Sequence, residues 1–229
     1  MRRYYRIEDD VDVKGRWFLD GLSDSKGRRL DSRDFIYGLS IEIGPPLRIS
    51  LADQDVIVDV HDPLRVSLRT EGIALDFTFA DFEMPVVTAR VAELLETICG
   101  PDIQRIAVEV PGRNSAFEII NVVPCPNCID RQRSEVEWWT EADGRPEKLG
   151  KPRMVTKLAI DNRKVGEHHI FRPDGWVVAL VVSDVVKQAI ENARVSGVKF
   201  KALLCSAVDH CPGPLDVGNR RDGHEDIQK

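Results

Sequence analysis

Cys125 and Cys128 form a C-x-x-C pair, the spacing in this chain that most directly suggests chemistry. In a redox unit such a pair opens a helix after a strand, where the helix N-terminus stabilises a thiolate. The run before it, Ala116 to Val123, is strand-like, but Ile129-Asp130-Arg131-Gln132-Arg133 after it makes a poor amphipathic helix. A zinc site needs two further ligands, for which Cys205, His210 and Cys211 are the candidates and His168 and His169 the reserves. Their spacing matches no common finger. The plainer reading, Cys128 as a small buried hydrophobe, is preferred to both. A Ser-His-Asp set can be written down from Ser183, His169 and Asp130, yet Ser183 is better explained as a helix cap. No serine sits in a Gly-x-Ser-x-Gly elbow and no Gly-rich phosphate loop is present. These residues therefore predict neither an enzyme nor a cofactor site.

A second cluster is acidic: Asp53, Asp55, Asp59 and Asp62, followed by Asp76, Asp81 and Glu83. Charged residues are most often simply solvated. The sharper reading is a negative surface that meets a basic partner, since complementary charge speeds encounter and suppresses wrong partners. The net charge of −6 argues against a protein that itself neutralises phosphates. No apolar run approaches bilayer length, and the N-terminal MRRYYRIEDDVD lacks the apolar stretch of a secretory signal. Five cysteines without regular spacing do not make a disulfide framework. A cytoplasmic address is expected, with no membrane and no direct nucleic-acid partner.

The elements that must position these residues are of mixed type. Alternation in Leu47–Leu51, the β-branched run Val56–Val58, Leu64–Leu68, and the period-two set Leu75, Phe77 and Phe79 predict antiparallel strands. Two principal helices are expected, at about 88–99 and 183–195. The first has Thr88 at its cap, Val91, Leu94, Leu95 and Ile98 on one stripe, and Gly100-Pro101 as its stop. The second is capped by Ser183, carries Val186, Ala189, Ile190 and Ala193, and ends at Gly197. Hairpins are expected at 106–123, around Pro111–Ser115, and at 135–160, around the polar segment Glu141–Pro152. His168–Arg172 reads as a short strand and Val198–Leu204 as another, while Trp176–Val182 is a buried run of either type. Residues 1–35 read as an irregular wrap with one short strand. The whole is an α+β fold, one domain over 1–204, with a flexible tail over 205–229.

The order of certain residues resembles a family of bacterial polymorphic-toxin immunity proteins, the eleventh numbered immunity group. They are Trp17, Phe77 and Phe79 before Met84-Pro85-Val86-Val87, Asp102-Ile103-Gln104, Asn121-Val122, Cys128-Ile129-Asp130, His169-Ile170-Phe171-Arg172 with Trp176, Val182-Ser183, and Gly197-x-x-Phe200. The resemblance spans Trp17 to Phe200 and leaves Cys125 outside the pattern. It implies an α+β fold and a non-enzymatic protein that binds and neutralises a cognate toxin, often a nuclease. Trp17, Cys128, Asp130, Phe171, Arg172, Trp176, Ser183, Gly197 and Phe200 are then expected to be mainly determinants of the fold. Asp53, Asp55, Asp59 and Asp62 are the expected partner contacts, facing the basic surface that a nuclease presents to phosphates.

Overall fold

A computed structural model describes residues 2–24, 26–30, 47–51, 54–58, 64–81 and 83–205, with the backbone alone described for 47–51 and 54–58. In chain order the strands are β1 (Tyr4–Asp9), β2 (Phe18–Ser23), β3 (Arg29–Leu30), β4 (Leu47–Leu51), β5 (Gln54–Val58), β6 (Leu64–Thr70), β7 (Phe77–Ala80) and β8 (Met84–Thr88). Helix α1 (Ala89–Cys99) follows, then β9 (Ile103–Glu109), β10 (Phe117–Val122), β11 (Glu135–Trp138), β12 (Pro152–Lys157), β13 (Ala159–Ile160), β14 (Ile170–Phe171) and β15 (Val181–Ser183). Helix α2 (Asp184–Asn192), β16 (Val198–Ala202) and β17 (Leu204–Cys205) complete the described chain. The fold is α+β, with mostly antiparallel pairing and two α-helices among the described residues.

The largest sheet has the order β3-β2-β6-β9-β10-β8-β7, with β6 and β9 parallel and every other pair antiparallel. It curls. The Trp17 indole, just before β2 near one edge, donates a 2.8 Å hydrogen bond to Thr78 Oγ1 in β7, the opposite edge strand. Its concave face encloses Trp17, Leu22, Leu64, Val66, Met84, Val86, Val108, Phe117 and Ile119. The convex face presents Phe77, Val87, Ile103, Ile120 and Val122 to α1 and α2. Strands β7, β8 and β10 are thus covered on both sides, which is why Thr78 is fully buried.

A second sheet, β14-β15-β1-β16, closes the far side of the helices. Ile7, Ile170 and Val182 face α1 and α2, while Tyr4, Phe171 and Val181 face a cluster with Cys128, Ile129, Leu158 and Ile160. Here the reading of residues 1–35 is corrected, because β1 lies between β15 and β16 and β2 between β3 and β6. Tyr4 and Tyr5 point to opposite faces that are both covered, so polar alternation, the usual mark of a strand, is missing. The run Trp176–Val182 resolves into turns followed by β15, with Ala179 N–H bonded to the Trp176 carbonyl.

The end of α2 is also corrected. The helix stops at Asn192, and Arg194, with φ of 51°, takes the left-handed position that follows it. Arg194 N–H bonds to the Glu191 carbonyl and Val195 N–H to the Ile190 carbonyl, the paired bonds of a Schellman ending. Gly197 serves a different purpose. Its φ is 93°, and a Cβ there would lie 2.1 Å from the Phe77 carbonyl oxygen, so glycine allows the turn into β16 to pack against β7. Ser183 does cap α2, accepting the Val186 N–H at 3.4 Å, whereas Thr88 holds the cap position of α1 without a side-chain cap bond.

Candidate partner-binding surface

Local sequence explains where each chemically suggestive side chain falls. Cys125 and Cys128 lie in an extended segment after β10, not at a helix N-terminus. Burial pushes the Cys128 thiol up to about 12 and raises Cys125 as well, the opposite of the depressed pKa of a redox thiolate. Both are free thiols, as is Cys205. Among the described residues no group of three or more His, Cys, Asp or Glu side chains could hold a metal. His210 and Cys211 lie outside the described residues.

The expected strand over His168–Arg172 is shorter, β14 covering only Ile170–Phe171, so both histidines precede it, and they take separate partners. His168 Nδ1 is 2.9 Å from Asp102 Oδ1, and His169 Nδ1 is 2.8 Å from Ser183 Oγ. The structure thus brings together two members of the paper triad. Ser183 is fully buried, however, and its hydroxyl is engaged by the Val186 N–H, so it offers no nucleophile to a substrate. Burial, then the nearby Arg2, lowers the His169 pKa. Asp130 is occupied elsewhere: its carboxylate accepts the Gln132 and Arg133 N–H groups in a local turn.

The residues of the resembling pattern sit deep in the scaffold. Trp17, Cys128, Phe171, Arg172 and Ser183 are fully buried, and Phe171 meets Tyr4 edge to face at 5.3 Å. Arg172 is a clamp: Nη1 donates to the Val177 carbonyl at 2.6 Å and Nη2 to the Glu83 carbonyl at 2.8 Å, tying the β7–β8 turn to the segment before β15. Trp176 is half-buried against the Cys128 cluster. Phe200 packs edge to face on Tyr5 at 6.5 Å beneath the Lys187 ammonium.

Of the acidic cluster, Asp53, Asp59 and Asp62 lie outside the described residues, and Asp55 lies in β5, where only the backbone is described. Asp76 and Asp81 have partners of their own. Burial raises the Asp76 pKa, but hydrogen bonds from Ser196 N–H and Oγ and from Arg90 outweigh it, leaving the carboxyl below its ordinary value. Through these bonds Asp76 fastens the start of α1 to the turn after α2. Asp81 faces Arg29 at 3.8 Å, and burial raises the Glu83 carboxyl.

One exposed feature lies within 135–160, where the sequence pattern predicts only a hairpin. Strands β11 and β12 form a two-stranded ladder with no third strand among the described residues. Their connection is ordered: Asp143 Oδ2 accepts from both Thr140 N–H and Oγ1 at 2.8 Å, and Arg153 binds Asp143 Oδ1 at 2.8 Å. The Trp139 ring has Lys148 Nζ at 5.0 Å, the Arg153 guanidinium at 5.2 Å and that of Arg145 at 6.0 Å, while Arg131 lies 4.3 Å over Trp138. The available signal was Glu-Val-Glu-Trp-Trp, two adjacent indoles in a run too polar to need them for a core.

The class is thus an α+β scaffold whose suggestive side chains are committed to holding it together. Residues 54–204 match the Immunity protein family (Imm11), more than half of the chain, and the protein belongs to that family. Trp17, part of the resembling pattern, lies outside the matched span. No curated protein matches the chain.

Proposed function

We propose that this protein binds a cognate polymorphic toxin in the cytoplasm and neutralises it by occlusion, without turning over a substrate of its own. Family membership over residues 54–204 is the observation that carries the reading. The placement of Ser183, His169, Asp130 and Cys128 in structural roles agrees with it. An inhibitor of this kind needs a rigid surface of complementary shape and charge, and no catalytic group. Among the described residues no helix is long and apolar enough to cross a membrane.

The toxin is a nuclease in this proposal, because a face that holds phosphates must be basic and the segment with Asp53, Asp55, Asp59 and Asp62 is its electrostatic complement. The test is titration of the purified chain into the toxin encoded by the adjacent gene. The double substitution Asp55→Lys and Asp59→Lys is expected to weaken binding by at least about 10-fold at low salt, and by less as salt screens the interaction. Unchanged affinity of the double variant retires the acidic contact, and failure of the unmodified chain to bind retires the immunity reading itself.

A further inference from the structure

We propose that the β11–β12 hairpin is a docking arm that seats Trp139 and its ring of cations on an acidic, partly apolar patch of the toxin. This rests on the immunity reading and adds a second contact surface to it. The hairpin is unusual on three counts. It is a two-stranded ladder, a form that is marginal in water without a further strand or a packed face. Its inner side has such a face, since Val155 packs on the Cys128 cluster, but Met154 is 48% exposed and Leu149 at the tip 50%.

The second count is charge. Arg131 to Lys157 holds seven cations against five carboxylates in a chain whose net charge is −6. Three of those cations crowd one indole, and only Arg153 has a carboxylate partner, Asp143. Hydrogen bonds from Thr140 hold Asp143 below the ordinary carboxylate range, so it stays charged but neutralises one cation of the three. Arg145 and Lys148 form no ion pair among the described residues. Like charges gathered on a half-buried ring are a receptor for carboxylates.

The third count is preorganisation. The Thr140–Asp143 capping box and the Arg153–Asp143 bridge fix the tip before any partner arrives, which removes an ordering cost from association. Tryptophan, arginine and methionine are enriched at protein interfaces, the first two also at their energetic centres. A nucleic-acid occupant fits less well, because the cations crowding the Trp139 ring compete with base stacking and Glu135, Glu137, Glu141 and Glu147 stand along the same arm.

The experiment compares the unmodified chain with Trp139→Ala and with Arg145→Glu/Lys148→Glu in binding to the purified toxin, with thermal melts as the control for folding. Each variant is expected to melt like the parent and to bind at least about 10-fold more weakly. The charge-reversed variant should also show a shallower salt dependence. In the unmodified chain, toxin should slow amide exchange across residues 135–157, a readout that survives even if a variant folds poorly. Parent-like affinity in both variants, or no added protection of the hairpin, overturns the arm while leaving toxin binding intact. Absence of binding by the parent overturns both. A single-stranded oligonucleotide that binds through these same side chains, with toxin affinity unaffected by the substitutions, also overturns it.

Discussion

At Gly197 and Arg194 the backbone makes opposite demands. Arg194 holds a left-handed conformation that costs a side-chain-bearing residue about 1 kcal/mol, whereas Gly197 has a positive φ and no room for a Cβ. Arg194→Gly is therefore expected to stabilise the protein by up to about 1 kcal/mol, and Gly197→Ala to destabilise it by more than about 2 kcal/mol. Urea melts with an unchanged slope would register both, and the reverse ranking would put the helix stop back at Gly197. The buried thiols make a second residue-scale prediction. Burial raises Cys99 and Cys128 from an ordinary 9.0 to about 12, so the native state keeps protons that the unfolded chain releases. Their stabilising contribution is complete below about pH 9 and is lost as pH climbs towards 12, at up to about 1.4 kcal/mol per pH unit for each thiol. Stability measured between pH 9 and 10.5 should fall less steeply in Cys128→Ala than in the parent. A slope unaffected by the substitution contradicts the buried-thiol assignment.

Among the elements, the two helices and the hairpins at 103–122 and 135–157 were legible because each has a local signal: caps, a helical stripe, or two β runs around a polar turn. Strands β1 and β2 were not, since Tyr4, Ile7, Trp17 and Leu19 are buried in a way that depends on partners distant in sequence. For the same reason Asp76 read as a surface charge, although Ser196, 120 residues away, is what occupies it. The β11–β12 ladder and the β8–β10 ladder differ in cover, the first having no fully buried residue in either strand and the second lying between two buried clusters. Hydrogen exchange in the free protein should therefore be fastest, within the ladders, at residues 135–157 and slowest at 84–88 and 117–122. Equal protection of the two ladders would show that cover by the buried clusters does not set their local stability.

At the scale of the whole molecule, three buried clusters are stitched by polar clamps: Trp17 to Thr78, Arg172 to the Glu83 and Val177 carbonyls, and Asp76 to Ser196. Such a body is suited to presenting a fixed surface, and the groups that could have done chemistry are among those that fix it. The candidate contact surface was the least legible part of the sequence, because contact residues answer to a partner's shape and leave no periodic mark on their own chain. Inhibition by occlusion is tested most sharply by titrating the purified protein into the proposed toxin partner, following toxin activity and complex formation together. A saturable one-to-one complex with Kd of about 10⁻⁸ M or tighter is expected, with toxin activity falling in proportion to occupancy. Full toxin activity in the presence of excess protein, or inactivation that continues catalytically at a small fraction of the toxin concentration, would contradict it.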